Sequence, residues 1–135
     1  MSVCVFCNIT DGESTIIFED EDIVIIKDIK PAAQHHYLAI PKIHIPNVKA
    51  LKKEDIQLVE KLVEVGMRVL EEKGCNLNDV CVGFHIPPFN SISHLHLHLI
   101  TPASEMNFIS RMIFRPNTWW FNTAQVILNN LYSLD

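Results

Sequence analysis

The segment Ser91-Ile92-Ser93-His94-Leu95-His96-Leu97-His98-Leu99-Ile100 decides the fold of this 135-residue chain and carries its chemistry. Leucine and histidine alternate in it, and successive side chains of a β-strand point to opposite faces of a sheet. A strand over residues 94–100 would therefore bury the leucines in the core and present His94, His96 and His98 together on the other face. A solvated face is usually built from lysine, glutamate, threonine and serine, so three histidines in register indicate a functional site.

Hydrophobic patterning elsewhere predicts more strands and two helices in an α+β domain. The pattern predicts two strands within residues 15–29 around a turn at 20–22, a third strand at 36–41, a helix at 54–73, a fourth strand at 80–85 and a last helix at 123–131. Gly74 is the expected end of the long helix. Together with the histidine strand, this gives an antiparallel sheet of about five strands, and no linker divides residues 1–135.

The composition favours a folded protein that does not coat nucleic acid. Hydrophobic residues make up 48% and charged residues 20% of the chain, and the formal net charge is −5. A nucleic-acid coat needs a basic surface, which this charge does not supply. The N-terminal sequence lacks the features of a signal peptide and no apolar run would cross a bilayer, so we expect a cytoplasmic and also nuclear protein. In that setting the four cysteines are expected to be thiols or metal ligands.

Two kinds of chemistry could use the histidine row. The first is a catalytic zinc centre with three histidine ligands. Residues i and i+4 of a strand lie about 13 Å apart, whereas zinc–nitrogen bonds are about 2 Å, so all three histidines could not share one metal without bending the strand. The second is phosphoryl transfer, in which His96 attacks phosphorus and its neighbours fix its tautomer and hold phosphate oxygens. The strand geometry favours the second interpretation.

The same residues resemble the histidine triad (HIT) superfamily, whose signature is His-x-His-x-His between apolar residues, and most closely its Hint branch. The catalytic domain of aprataxin is also similar. The likeness extends over nearly the whole chain. The matching segments are Phe18-Glu19-Asp20, Lys27-Asp28-Ile29-Lys30-Pro31, His36-Tyr37-Leu38-Ala39-Ile40-Pro41-Lys42-x-His44 and Gly83-Phe84-His85-x-Pro87-Pro88-Phe89-x-Ser91-x-Ser93-His94. The resemblance implies the HIT-like fold.

The resemblance also implies roles for the catalytic residues. His96 matches the nucleophile that carries the nucleotide transiently. The backbone carbonyl of His94 would hold the other ring nitrogen of His96, and His98 would bind phosphate. His36 matches a histidine near the leaving group, a candidate proton donor, and Ser91 matches a hydroxyl that contacts the leaving group or the α-phosphate.

The residues that would bind the nucleoside follow from the same resemblance. Asp28, with Ile29 beside it, matches the carboxylate that holds the ribose hydroxyls. The residues that match the apolar slot for the base are Phe6, Ile9, Phe18 and Ile26. The chain departs from the Hint branch at Gly83, where that branch has asparagine, and at Asn90, where it has glutamine. His85 is an additional histidine near the site.

A second constellation is the pair Cys4-x-x-Cys7. Two thiolates at this spacing can occupy two corners of a zinc tetrahedron. Some Hint-like proteins complete such a site with the histidine of the Pro-Lys-x-His turn and with the first triad histidine, which match His44 and His94. A site of that kind would be structural, and no cofactor would be required for the chemistry. A pair of thiols without metal, free or redox-active, is the alternative.

These expectations describe a purine nucleoside phosphoramidase that releases AMP from amine-linked or acyl adenylates through a nucleotidyl-histidine. One alternative is an aprataxin-like hydrolase of adenylated DNA, whose family residues 117–123 faintly resemble. Another is a nucleotide-binding scaffold with little turnover. We expect a small purine nucleotide as the substrate, no membrane or nucleic-acid partner and, by resemblance, a homodimer that uses the long helix and a sheet edge.

Overall fold

The structure, a computed structural model, describes residues 5–8, 16–90 and 92–134 and contains an antiparallel sheet of six strands. The strands are β1 (Ile16–Glu19), β2 (Ile23–Lys27), β3 (His35–Pro41), β4 (Cys81–His85), β5 (Leu97–Thr101) and β6 (Phe121–Thr123). Their order across the sheet is β1-β2-β3-β5-β4-β6. The helices are α1 (Ile56–Glu72), α2 (Phe108–Ile113) and α3 (Ala124–Tyr132), and a short 3-10 turn is found at Val5–Asn8.

Local sequence signals explain where the first elements begin and end. The Asp20 carboxylate accepts the backbone N–H groups of Asp22 and Ile23, at 2.8 and 3.0 Å, and so closes the turn between β1 and β2. Helix α1 buries apolar residues at helical spacing and ends before Gly74, which has a φ of +77°. Among the described residues, no helix is long and apolar enough to pass through a bilayer.

The two faces of the sheet bury different side chains. Helices α1 and α3 cover one face, where Leu95, Leu97 and Leu99 lie in the main core as the sequence predicted. Two smaller apolar clusters lie on the other face. The β2–β3 cluster comprises Phe6, Val24, Ile26, Leu38 and Ile40. The β6-side cluster comprises Cys81, Ile100, Met106, Phe114 and Phe121.

The predicted strand over residues 94–100 is shorter at its beginning, because β5 starts at Leu97. The Leu95 N–H donates to the carbonyl of Ile45, at 2.6 Å, instead of joining the sheet ladder. The alternation of the segment still buries the leucines in the main core, while His94, His96 and His98 are themselves buried. The first two histidines therefore lie in an extended entry to the strand.

The sheet also contains one strand more than predicted, and α2 was not predicted. Strand β6 is only three residues long and pairs with the Gly83–His85 part of β4. Its last residue, Thr123, caps α3 by accepting the backbone N–H of Val126 at 3.4 Å. So short a segment, directly before a helix, carries no period-2 signal of its own.

Candidate active site

His96 is held by its own backbone neighbour. The Nδ1–H of the ring donates to the carbonyl oxygen of His94 at 2.7 Å, which leaves the lone pair on Nε2. Burial lowers the pKa of His96, and the bond to His94 opposes that effect only in part. The ring is thus neutral at pH 7, with one nucleophilic nitrogen in a fixed orientation.

His98 lies against His36 rather than against solvent. The Nε2 atom of His36 is 2.9 Å from Nδ1 of His98 and 3.3 Å from Oδ2 of Asp28. On its other side, His36 accepts the backbone N–H of Ala32 with Nδ1 at 3.0 Å. The Nε2 atom of His98 is buried and has no hydrogen-bond partner among the described residues. This nitrogen is a polar group that a ligand could satisfy.

Burial suppresses the charge of both rings. It lowers the pKa of His36 to about 4, against the opposing effect of the Asp28 carboxylate. Burial also lowers the pKa of His98 well below its ordinary value, with His96 and His36 adding to the effect. Both histidines are therefore neutral at pH 7.

Asp28 lies at the end of β2, and its side chain is 17% exposed. Its Oδ1 accepts the backbone N–H of Lys30 at 2.8 Å. The side chain of Ile29, beside it, is 90% exposed and packs on no cluster. The second carboxylate oxygen of Asp28, Oδ2, therefore faces His36.

The predicted apolar slot is only partly assembled from the predicted residues. Phe6 and Ile26 share the β2–β3 cluster, and the Phe6 ring meets the His96 ring edge-on at 5.2 Å. The prediction for Phe18 is wrong, because Phe18 packs in the main core on the opposite face. The ladder shifts register between Ile16 and Phe18, as a β-bulge does, so Ile16 faces the slot in its place. Ile9 lies outside the described residues.

The loop before the triad is described only in part. Ser91, a predicted catalytic residue, lies outside the described residues. Asn90, one of the departures from the Hint branch, donates from its side chain to the Ile92 carbonyl at 3.3 Å. It lines a small recess together with Ile92 and His96. Asn90 therefore lies close to His96.

His85 and Phe114, to which the sequence analysis assigned no role, pack against the histidine row. The Nε2–H of His85 donates to the Ile113 carbonyl at 3.1 Å, and its ring packs edge-on against His98 at 5.0 Å. The Phe114 ring lies 5.0 Å from His98 and 5.4 Å from His36. His85 is visible in the Gly-Phe-His motif, whereas Phe114 follows a helix that the sequence pattern did not predict.

A cavity of about 710 Å³ lies at the start of β4 and beneath α2. Its lining is mostly apolar, with Arg111 and Arg115 among the lining residues, and it includes Phe114 but none of the triad histidines. This cavity is therefore separate from the histidine row.

Three of the four predicted metal ligands meet at one point, and the fourth, Cys4, lies outside the described residues. The Sγ atom of Cys7 is 3.2 Å from Nδ1 of His44 and 3.4 Å from Nδ1 of His94, and the two Nδ1 atoms are 3.1 Å apart. Ligands bonded to zinc at about 2.0–2.3 Å in a tetrahedron are separated by about 3.3–3.8 Å, slightly more than the distances found here.

The orientation of His94 also fits a metal ligand. Its Nε2–H donates to the Pro41 carbonyl at 2.8 Å, so the lone pair of the neutral ring is on Nδ1 and faces Cys7 and His44. A backbone carbonyl behind a ligating imidazole is a usual partner in zinc sites. The donor set and its geometry therefore fit zinc.

Comparison with known proteins finds a matching family, relatives with a named activity and a solved structure of similar fold. The family described as "Scavenger mRNA decapping enzyme C-term binding" matches residues 3–113. Adenosine 5'-monophosphoramidase HINT3 of Xenopus tropicalis is 45% identical over 95% of this chain and 86% of that protein. The mouse protein of the same name is 47% identical over 96% and 82%. A HIT family hydrolase from Clostridium thermocellum superposes with a TM-score of 0.67 at 36% identity, over 74% of this chain and 90% of that one.

Proposed function

The chain belongs to the histidine triad family, and from this premise we propose that it is an adenosine 5'-monophosphoramidase, which releases AMP from amine-linked or acyl adenylates. The observation that carries the proposal is the bond of 2.7 Å from His96 Nδ1–H to the His94 carbonyl. This bond leaves Nε2 as a neutral nucleophile in a fixed position, which the first step needs.

The reaction has two steps. The Nε2 lone pair of His96 attacks the α-phosphorus, the bond from phosphorus to the amine nitrogen breaks, and the amine leaves with that electron pair and takes up a proton. Water then attacks the phosphorus and releases one proton, which balances the proton that the amine took up. The bond from phosphorus to Nε2 breaks, and its electron pair returns to the ring. Water and the phosphoramidate are consumed, and AMP and the amine are formed.

His98 is the residue best suited to hold the phosphate. Its buried Nε2 has no partner among the described residues and would donate to a phosphate oxygen as charge develops there. His36 does not suit the role of direct proton donor to the leaving group, because both its ring nitrogens have protein partners. Ser91 remains the candidate for that contact. Asp28 would hold the ribose, and the β2–β3 cluster would hold the base.

A structural zinc ion at Cys4, Cys7, His44 and His94 is part of the proposal. It would tie the turn at Val5–Asn8, and with it Phe6, to the entry of β5. Four protein ligands leave no open position, so the zinc supplies only structural cross-linking.

We also propose a homodimer in the cytoplasm and nucleus, as the sequence analysis expected. Strand β4 pairs with β5 along Cys81–Gly83 and with β6 of the same chain along Gly83–His85. A dimer through a sheet edge would therefore need β1, β6 or the first residues of β4. Light scattering after gel filtration measures the subunit number, and cell fractionation the location.

The test uses His96→Ala and His96→Asn with a fluorogenic adenosine phosphoramidate. We expect both variants to bind nucleotide and to lose at least about 1,000-fold in kcat, since the nucleophile is gone. His35→Asn, which removes a histidine next to the site residue His36, is the matched control and should keep wild-type turnover. Mass spectrometry of trapped enzyme should find one added nucleotide on the His96 peptide.

The same experiment separates the alternatives. Full activity in a His96 variant would overturn the mechanism. Wild-type protein that binds nucleotide without turnover would instead be a scaffold. Faster release of AMP from adenylated DNA than from the phosphoramidate would favour the aprataxin-like activity.

A further inference from the structure

We propose that Asp28 is a positioning residue for the histidine row: through His36 it sets the tautomer and orientation of His98, whether or not it also binds ribose. The proposal rests on the proposed function, in which His98 holds the phosphate. The resemblance gives Asp28 the ribose alone, whereas the structure places Oδ2 of Asp28 3.3 Å from Nε2 of His36.

The first step is the position of the proton on His36. Its Nδ1 accepts the backbone N–H of Ala32 at 3.0 Å, and an N–H group can only donate. Nδ1 therefore carries the lone pair, and in the neutral ring the proton is on Nε2. Oδ2 of Asp28 and Nδ1 of His98 are the two acceptors that this proton faces.

The second step follows for His98. Because its Nδ1 lies 2.9 Å from the Nε2–H of His36, it must be the acceptor. The proton of neutral His98 is then on Nε2, the buried atom without a partner among the described residues. A phosphate oxygen needs a donor, so this tautomer is the useful one and the opposite tautomer would present a repelling lone pair.

The third step is the way in which Asp28 stabilises this arrangement of protons. Its Oδ1 is fixed by the Lys30 N–H at 2.8 Å, which leaves Oδ2 turned to His36. A carboxylate only accepts, so it favours the proton on the facing nitrogen of His36. It also opposes the burial of the ring and the repulsion by His85 and His96, which together disfavour positive charge on His36. The carboxylate can therefore stabilise charge that develops along His36 and His98 during phosphoryl transfer.

The substitution Asp28→Asn tests this arrangement with little change in shape. The amide oxygen would stay with the Lys30 N–H, and the amide NH₂ would then face the Nε2–H of His36. Two donors would then face each other. If the amide were reversed, its NH₂ would instead face the backbone N–H of Lys30. Either way, one donor in the group loses its acceptor, which a buried site tolerates poorly.

The first experiment is a long-range ¹H–¹⁵N correlation spectrum of the histidine rings in substrate-free protein. We expect the wild type to carry its ring protons on Nε2 of both His36 and His98, and Asp28→Asn to populate the other tautomer of His98. Asp22→Asn, which removes an exposed carboxylate that pairs with Lys61, is the control and should leave the spectrum unchanged. A wild-type proton on Nδ1 of His98, or an unchanged spectrum in Asp28→Asn, would overturn the proposal.

The second experiment compares an adenosine phosphoramidate with its 2',3'-dideoxy analogue, which has no ribose hydroxyls. We expect Asp28→Asn to lower kcat about tenfold on both substrates, as the loss of about one hydrogen bond implies. It should raise KM only for the substrate with hydroxyls. If kcat on the dideoxy substrate is equal in Asp28→Asn and wild type, then Asp28 acts through ribose alone and the proposal fails.

The two experiments separate this proposal from the proposed function. If wild-type protein turns over neither substrate, the phosphoramidase function fails, and the spectra alone decide whether Asp28 positions His98. If turnover is present and the spectra and the dideoxy kinetics show no effect of Asp28, the function stands and only the positioning role is lost.

Discussion

Two groups of three side chains look alike in composition but differ in their backbone partners. The thiolate cluster is Cys7, His44 and His94, and the relay cluster is Asp28, His36 and His98. In each, the possible ligand atoms lie within 4.8 Å of one another.

The difference is the backbone group that forms a hydrogen bond with the outward-facing nitrogen of one imidazole in each cluster. The ring of His94 has the Pro41 carbonyl at its back, so its lone pair faces the cluster. The ring of His36 has the Ala32 N–H at its back, so a proton faces the cluster. A metal needs converging lone pairs, whereas a hydrogen-bonded chain needs a proton between acceptors. The backbone group behind each ring, joined in the relay cluster by the Asp28 carboxylate, thus favours a metal site in one cluster and a relay in the other.

The largest expected effect is on zinc affinity. Zinc binding to four protein ligands is worth about 10–16 kcal/mol, so removing one ligand should weaken it about 1,000-fold. We expect this loss in Cys7→Ser and His44→Ala, measured by competition with a chromogenic chelator.

The matching change in the relay cluster should leave zinc affinity unchanged. His36→Phe keeps the size of the ring and removes its nitrogens. Loss of zinc in His36→Phe, or normal zinc affinity in Cys7→Ser, would show that the backbone partner does not separate the two clusters.

The next effect is on stability in acid. The pKa of His36 falls from 6.5 to about 4 on folding. Between these two pH values the unfolded chain therefore binds a proton at His36 that the folded protein does not bind. The stability that His36 contributes is complete above pH 6.5 and is lost as the pH falls from there to about 4. The shift corresponds to about 3 kcal/mol. The groups that face His36 and share in this behaviour are Asp28, His85, His96 and His98.

Urea unfolding at pH 7 and pH 4.5, with a chelator present, measures this loss. His36→Phe should be less stable at pH 7, because the Ala32 N–H loses its acceptor, yet it should lose less stability on acidification than the wild type does. Equal losses in the two proteins would mean that His36 is not the group held neutral by the fold.

The thiolate cluster explains one limit of prediction from the sequence. The alternation of leucine and histidine correctly predicted that the leucines face the main core, since that depends only on every second side chain pointing to the same face. It could not show that residues 94–96 leave the ladder. That departure depends on the Pro41–Ile45 segment, which takes the Leu95 N–H and the His94 ring by contacts distant in sequence.

The β2–β3 cluster shows a second limit of prediction from the sequence. Regular strand geometry puts Ile16 and Phe18 on one face, and only the register shift between them separates the two. The chain has no glycine at that point to signal a bulge. The position of Phe18 therefore depended on pairing with β2, which the sequence pattern of β1 alone does not contain.

The smallest expected effect concerns Gly83 in β4 and its contact with β6, which lies beside the relay cluster. A Cβ at Gly83 would collide with the Asn122 carbonyl and would lie 2.6 Å from the Phe121 ring. The asparagine that the Hint branch has at this position could not coexist with β6 as it lies here. The glycine at position 83 therefore allows β6 to lie against β4 in this chain, and β6 brings Phe121 against His85, with ring centroids 5.0 Å apart.

Gly83→Ala should accordingly destabilise the protein by about 2 kcal/mol, the usual cost of an overpacked site. Gly74→Asn is the control glycine, because nothing lies within 4 Å of a Cβ there and asparagine adopts its positive φ more readily than other residues do. Urea unfolding of both variants measures the difference, and zinc affinity should be unchanged in Gly83→Ala because β6 contacts the relay side of the row. If Gly83→Ala costs no more than Gly74→Asn, β6 does not press on β4, and the support of His98 must come from Phe114 and His85 without it.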